Sequence, residues 1–320
     1  MILMGETWLF VGPTLLAGIG QVTRLYSEMV KKCGHEADFV SVGEQPPKSK
    51  YDRGFSFVLP IESTLGMFDQ YKQFCNKMMY MTVCETVPVN PCYGILKRYG
   101  TIHVPSEFAR AVLANQFPDI TWKTLLHWAP VPVPRVIGTP EPYVFYTIGN
   151  ILDPRKNIRT LVETFLRCDF KNEAILFLKA TCNQPVDWKV PGVHVINGLL
   201  SPREIDDLHA RSHCYINCSH SEGVGMGAVE AALWDKPCII TDFGGLKEYI
   251  KTPWMVPCTQ GPIGFNDFLY TPELQWGYPS KDQLAHCMKD CFERKVRHWD
   301  HSHTKQIMQD LQHSAAFGLH

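Results

Sequence analysis

The 320-residue chain has no run of about 18 apolar residues, so no segment reads as a membrane span. It has no surplus of either charge. Its 31 Lys and Arg face 32 Asp and Glu, for a formal net charge of -1, and a chain without spare cations offers no track for a polyanion, which sets nucleic acid aside as a partner. Internal repeats and low-complexity segments are absent. The cysteine pairs Cys214/Cys218 and Cys287/Cys291 lack the CxxC spacing of zinc sites. A secretory leader is not expected either: the start has no basic residue, its apolar stretch is short, and Met1 to Gly12 reads as a strand running into a Gly-Pro turn. With 12 cysteines spread over this length, the thiols are expected to be reduced and the protein soluble and cytoplasmic.

What is present is a large reserve of core residues, 45% hydrophobic against 20% charged, enough for two domains. Short runs rich in Val, Ile, Phe and Tyr alternate with helical periodicity, which predicts an α/β fold of parallel strands joined by crossover helices. The expected strands of the first half are Thr7–Val11, Ala37–Val42, Phe55–Leu59, Met78–Val83, Thr101–Val104 and Thr124–His127, with helices at Gln21–Cys33, Asp69–Asn76 and Ser106–Asn115. The stretch from Trp128 to Pro142 carries Pro130, Pro132, Pro134, Pro140 and Pro142, which fix φ and remove donors, so it reads as a linker. A second alternation follows, with strands at Tyr143–Ile148, Ala174–Leu178, Val193–Ile196, Cys214–Cys218 and Cys238–Thr241 and helices at Ile158–Arg167, Pro202–Ala210, Ala228–Trp234 and Leu246–Ile250. Helices at Lys281–Glu293 and Thr304–Ala316 close the chain, packing outside or crossing back to the first domain. The expected organisation is two Rossmann-like doubly wound domains, 1–135 and 136–279, and a helical segment, 280–320, with ligand in the cleft beyond the strand ends.

The most informative stretch runs from Ser219 to Thr241. A strand ends at Cys218, a loop holds Glu222, Gly223, Val224, Gly225, Met226 and Gly227, and a helix opens with Glu230 expected in its first turn. Free amides at such a helix start suit a diphosphate. Carboxylates suit hydroxyls, so Glu222 and Glu230 could hold sugar OH groups on either side of a bound diphosphate. The plainer alternative is a solvated loop glutamate and a helix-stabilising one.

These residues resemble the donor-binding motif of glycosyltransferase family 4, the group 1 retaining transferases of GT-B fold: Ser-x-x-Glu-Gly-Phe-Gly, then Glu-Ala, then Gly-x-Pro-Val-Ile. Val224 stands for the Phe and Asp235-Lys236-Pro237 for the Gly-containing turn; Asp242 to Glu248 resembles the next Gly-Gly-x-x-Glu element. The resemblance implies that Glu222 binds the donor sugar, that the amides of Val224 to Gly227 meet sugar and phosphates, and that Glu230 holds the ribose. Thr147 to Ile158 resembles the family's Gly-Arg-x-x-x-x-x-Lys segment, which makes Lys156 the cation for the leaving diphosphate and puts Asn150 where the family has arginine, with Arg155 as a partial substitute. Gly18, Ile19 and Gly20 become the loop abutting the donor phosphates, a likeness that extends to Gly34-His35. Met81 to Pro88 with Val104 to Phe108 resembles a subset of these enzymes with a Trp-Glu-Thr then Val-Pro-Ser pattern. Cys84 replaces the Trp, and Glu85 is implied on the acceptor side, as orienter or base. Lys179 and the segment Val195–Leu199, with Asn197, line the pocket expected to select the donor.

The implied activity is metal-independent transfer of a hexose, mannose by slight preference, from a GDP- or UDP-linked donor to an acceptor hydroxyl with retention. No cofactor beyond the nucleotide-sugar substrate is implied. The acceptor would be a glycan, a glycoprotein or a small molecule, and peripheral membrane contact stays open. The alternatives are a non-catalytic nucleotide-sugar-binding protein and a GT-B epimerase or hydrolase. His298, His301 and His303 near Trp299 read as a solvated surface, and Tyr26, Trp122, Trp128 and Trp234 as core.

Overall fold

A computed structural model describes residues 5–13, 18–133, 141–182 and 184–313. The chain divides into two units: one made of the chain up to Ala129 with Pro262–Leu274 and the end from Met308, the other of Pro130–Gly261 with Gln275–Ile307.

The first unit is a six-stranded sheet built from β1 (Thr7–Gly12), β2 (Glu36–Ser41), β3 (Tyr51–Phe57), β4 (Cys75–Met81), β5 (Thr101–Val104) and β6 (Thr121–Thr124), in the order β2-β1-β3-β4-β5-β6. Every neighbouring pair is parallel. Helices α1 (Ile19–Lys32), α2 (Glu62–Asp69) and α3 (Glu107–Gln116) provide crossovers. Central β1 buries Trp8, Leu9, Phe10 and Val11 completely, the continuous apolar run of a strand covered on both faces. Ser106 caps α3, its hydroxyl accepting from the Ala109 amide.

The second unit repeats the plan with β7 (Tyr143–Gly149), β8 (Ala174–Ala180), β9 (Val193–Ile196), β10 (Cys214–Asn217), β11 (Cys238–Thr241) and β12 (Met255–Val256), in the order β12-β11-β10-β7-β8-β9, all parallel. Helices α4 (Ile158–Cys168), α5 (Pro202–Arg211), α6 (Met226–Leu233) and α7 (Leu246–Tyr249) lie between strands, and β13 (Cys258–Pro262) pairs with β14 (Gln275–Pro279). Phe145, Leu176, Ile216 and Ile239 from the strands join Leu284 and Met288 of α8 (Lys281–Glu293) in one core. The capping box of Ser201 and Glu204 starts α5, with Pro202 at its first position. The last helix, α9 (Ser302–His313), belongs to the second unit through Ile307 and to the first from Met308.

The strands expected at Phe55–Leu59 and Met78–Val83 lie a few residues earlier, at Tyr51–Phe57 and Cys75–Met81, and two other elements are displaced further. The strand expected at Thr124–His127 lies at Thr121–Thr124, where Trp122 is buried and its indole donates to the Phe117 carbonyl, while His127 packs edge-on against Tyr26. The helix expected at Asp69–Asn76 ends at Asp69; a 3-10 turn follows over Gln70–Phe74 and β4 already begins at Cys75. Tyr71 imposes that turn, being buried with its hydroxyl on the Glu44 carbonyl. The end of the expected helix Thr304–Ala316 falls outside the described residues beyond His313. Tyr26, Trp122 and Trp128 are core; Trp234 is half-buried.

Candidate active site

One cluster of charged side chains in the second unit lies where strands β7 and β10 end. Beyond β10, Ser219 and Glu222 fall in one tight loop, and beyond β7 a 3-10 turn over Pro154–Lys156 brings two cations to it. Glu222 is 5% exposed. One carboxylate oxygen accepts from Lys156 Nζ at 2.6 Å, Ser219 Oγ at 2.7 Å and Asn217 Nδ2 at 3.3 Å; the other accepts from Arg155 Nη1 at 2.9 Å. Arg155 also donates to the Ser221 carbonyl at 2.9 Å and to Asp153 at 3.3 Å. Burial alone would push the Glu222 carboxyl up, but Lys156 and Arg155 outweigh it and hold the group well below the usual carboxylate range. Glu222 is therefore an ionised anchor, not a solvated loop residue.

The glycines here have separate structural reasons. Gly225 sits at φ +74° as the cap of α6, a left-handed conformation costly for any other residue. Gly227 is needed for space: a Cβ there would lie 2.5 Å from the Tyr215 hydroxyl, which is itself fixed between the Ile148 amide and carbonyl at 3.2 Å each. Gly244 lets the next loop close on Glu222, whose carbonyl accepts from the Gly245 amide at 2.8 Å. Val224 is buried, while Met226 is half-buried in the first turn of α6.

Glu230 corrects one expectation. Because α6 opens at Met226, Glu230 is past its first turn. Its carboxylate lies 3.9 Å from Nε2 of buried His209, whose Nδ1 is 2.8 Å from the Tyr146 hydroxyl. Tyr215 lies within reach of both carboxylates: after burial, the charges of Glu222 and Glu230 are among the causes that push its phenol up.

Other expected residues are occupied differently. Lys179, at the end of β8, is 2% exposed and donates to the carbonyls of Ala180 and Gly198 at 2.5 and 2.8 Å; burial pushes its ammonium down. Asn197 clips both backbone groups of Val186 at 2.9 Å. Asn150 is exposed and accepts from the Leu152 amide. In the first unit, Gly18 caps α1 at φ +54° ahead of Ile19 and buried Gly20, and Glu85 accepts from the Tyr270 hydroxyl at 2.6 Å.

Asn217 and His220 were not singled out by sequence. Asn217 ends β10, accepts from the Ser219 amide at 3.1 Å and donates to Glu222. His220 stacks on Trp276 with ring centroids 4.7 Å apart and approaches Tyr278 at 4.6 Å. Neither had a sequence signal, because Trp276 is 56 positions from His220. Among the described residues no group of His, Cys, Asp and Glu could hold a metal ion.

Comparison with known proteins supplies the context for this cluster. Residues 191–253 match the family of glycosyl transferases, group 1, and that segment contains Glu222, Glu230 and the glycines between them. No curated protein matches the chain. Among solved structures, a sucrose-phosphate synthase from Thermosynechococcus elongatus superposes with a TM-score of 0.67 at 13% identity over 96% of this chain and 94% of that one. The lipopolysaccharide outer core galactosyltransferase WaaB gives 0.57 at 11% identity, covering 98% and 97% of the two chains. The pneumococcal O-GlcNAc transferase GtfA, solved with UDP and GlcNAc, gives 0.55 at 13% identity, covering 83% of this chain and 54% of that one. At such identities the likeness to each is one of fold. The two parallel six-stranded units share the fold of these structures, and residues 191–253 carry a segment similar to the group 1 glycosyl transferases.

Proposed function

We propose that the chain is a retaining transferase that moves a hexose, mannose by preference, from a nucleoside-diphosphate donor to an acceptor hydroxyl in the cytoplasm without a metal. The observation that carries the reading is the pairing of Lys156 and Arg155 with one buried carboxylate, Glu222, at the carboxyl ends of β7 and β10. Ion-paired cations held in a partly buried site are preorganised for charge that develops nearby. In the proposed reaction the bond between the sugar carbon and the phosphate oxygen breaks and its electron pair stays on that oxygen, beside Lys156 and Arg155. The acceptor oxygen attacks from the same face, and its proton passes to the departing phosphate. Glu222 keeps the cations in place and meets the sugar. The amides from Gly223 to Gly227 meet sugar and phosphates, and Glu230 takes the ribose hydroxyls. Gly18, Ile19 and Gly20 would abut the phosphates, and Glu85 would orient the acceptor, whether glycan, glycoprotein or small molecule. Lys179 and Asn197, which the protein occupies internally, would shape the pocket wall and not bond the base. GtfA, solved with UDP, makes a UDP-sugar the other donor to be tested.

A second reading, a protein that binds the nucleotide sugar without turning it over, is favoured by Asn150, an uncharged side chain that holds the Leu152 amide. Glu230→Ala and Glu85→Ala separate the two. The transferase reading expects Glu230→Ala to lose donor binding by at least about tenfold, and Glu85→Ala to bind normally while losing transfer, with binding read by calorimetry and transfer by product analysis. Normal binding and transfer in both variants would place the site elsewhere. Donor binding in wild type with no turnover toward any acceptor would favour the second reading.

A further inference from the structure

Glu230 on α6 stands against a buried side chain that the proposed reaction leaves unused. His209, in the last turn of α5, is 1% exposed. Its Nδ1 lies 2.8 Å from the hydroxyl of buried Tyr146 on β7, and its Nε2 lies 3.9 Å from a carboxylate oxygen of Glu230. The Tyr146 ring meets the imidazole edge-on at 5.5 Å and Tyr215 edge-on at 5.0 Å, which fixes the plane of the imidazole. All four residues belong to the second unit.

The partners decide which nitrogen carries a proton. With its one proton on Nδ1, the ring would set the Nε2 lone pair against a negative charge. With a proton on Nε2, or on both nitrogens, an N–H dipole meets the carboxylate instead. A tyrosine hydroxyl both donates and accepts, so Tyr146 suits either of the favoured forms. Nε2 has no hydrogen-bond partner among the described residues and is closed to solvent, so water does not screen the contact from the side of the ring. At 3.9 Å the contact is an attraction and not a hydrogen bond, and it uses none of the carboxylate's lone pairs. The Glu230 side chain is 24% exposed and open to a ligand.

We propose that His209 is a positioning residue for Glu230. It draws the carboxylate to the place from which it accepts from the ribose hydroxyls of the donor, and so makes the site selective for ribonucleotides over nucleotides that lack those hydroxyls. Tyr146 acts one step further back, by holding Nδ1. A site built to hydrogen-bond a hydroxyl rejects the analogue without it, because its own polar group is then left unpaired. The inference rests on the assignment of Glu230 to the ribose.

The test is calorimetric titration of the full chain with GDP and UDP, each beside its 2′,3′-dideoxy counterpart. Wild type is expected to bind one of the ribonucleotides at least about tenfold more tightly than its dideoxy form. His209→Phe keeps a buried ring without the N–H and is expected to bring that ratio to about threefold or less, whereas His209→Gln keeps a donor near the place of Nε2 and is expected to preserve it. A role confined to packing would weaken both forms alike and leave the ratio intact in His209→Phe, which would overturn the inference. Glu230→Ala separates this failure from that of the ribose assignment. If Glu230→Ala loses the ratio while His209→Phe keeps it, only the role of His209 fails. An unchanged ratio in Glu230→Ala, or no nucleotide binding by wild type, overturns the ribose assignment and the inference with it. Nitrogen-15 shifts of the histidine rings in wild type decide the question even if the Phe variant does not fold: His209 is expected to carry a proton on Nε2, and a proton on Nδ1 alone would overturn the proposal.

Discussion

At Glu222 two expected roles turn out to be one structure. The residue was legible in the sequence as a motif carboxylate and Lys156 as a cation some 66 positions away; their direct pairing was not, because spacing along the chain says nothing about which loops meet. Arg155, read only as a partial substitute for the missing arginine at position 150, is a full partner of the same carboxylate. Removing one member of a buried ion pair leaves its partners' charges uncompensated and costs about 3–5 kcal/mol. Because Arg155 and Lys156 keep some exposure, Glu222→Gln is expected near the lower end, about 3 kcal/mol, read by denaturant unfolding at neutral pH. The folded carboxyl is held below its ordinary value, so its contribution is full above about pH 4.5 and fades as the pH falls toward the lowered value. Wild type and Glu222→Gln should therefore converge in acid. Equal stability at neutral pH would show that the cluster does not hold the loop.

At the scale of elements, the strands that were easiest to foresee are those buried on both faces. Tyr143–Tyr146, Ala174–Leu178 and Cys238–Ile240 are continuous apolar runs. The elements that were missed lack such a run. Cys258–Pro262 is largely exposed, and the 3-10 segment Pro91–Tyr99, which follows the Asn90 cap, buries only Tyr93 and Leu96. The start of α6 was misplaced by two residues because its cap is a left-handed glycine without a side-chain signature, and that shift moved Glu230 out of the first turn. The same helix gives a prediction about close approach. Gly227→Ala would drive a methyl into the Tyr215 hydroxyl, an overpacking expected to cost about 1–3 kcal/mol. Adding Tyr215→Phe removes the obstructing oxygen and is expected to recover most of that loss in a double-mutant cycle of thermal unfolding. An additive pair would mean that the hydroxyl is not what excludes the methyl.

At the scale of the whole molecule, composition and alternation were enough for two parallel α/β units, and the described strands have that arrangement. The assignment of Pro262–Leu274 to the first unit was not legible, since a return of the chain leaves no periodic mark. The group 1 match covers residues 191–253, so the cations on the turn at Pro154–Lys156 rest on geometry and not on that segment. The central claim, that this cluster serves a nucleoside-diphosphate sugar without metal, is tested most directly by calorimetric titration of the purified protein with GDP-, UDP-, dTDP- and ADP-sugars in the presence of EDTA. The account predicts saturable binding of one nucleotide sugar, GDP-mannose first, that is lost in Glu230→Ala. Absence of binding by every member of the panel, or binding that appears only when a divalent metal replaces EDTA, would contradict it.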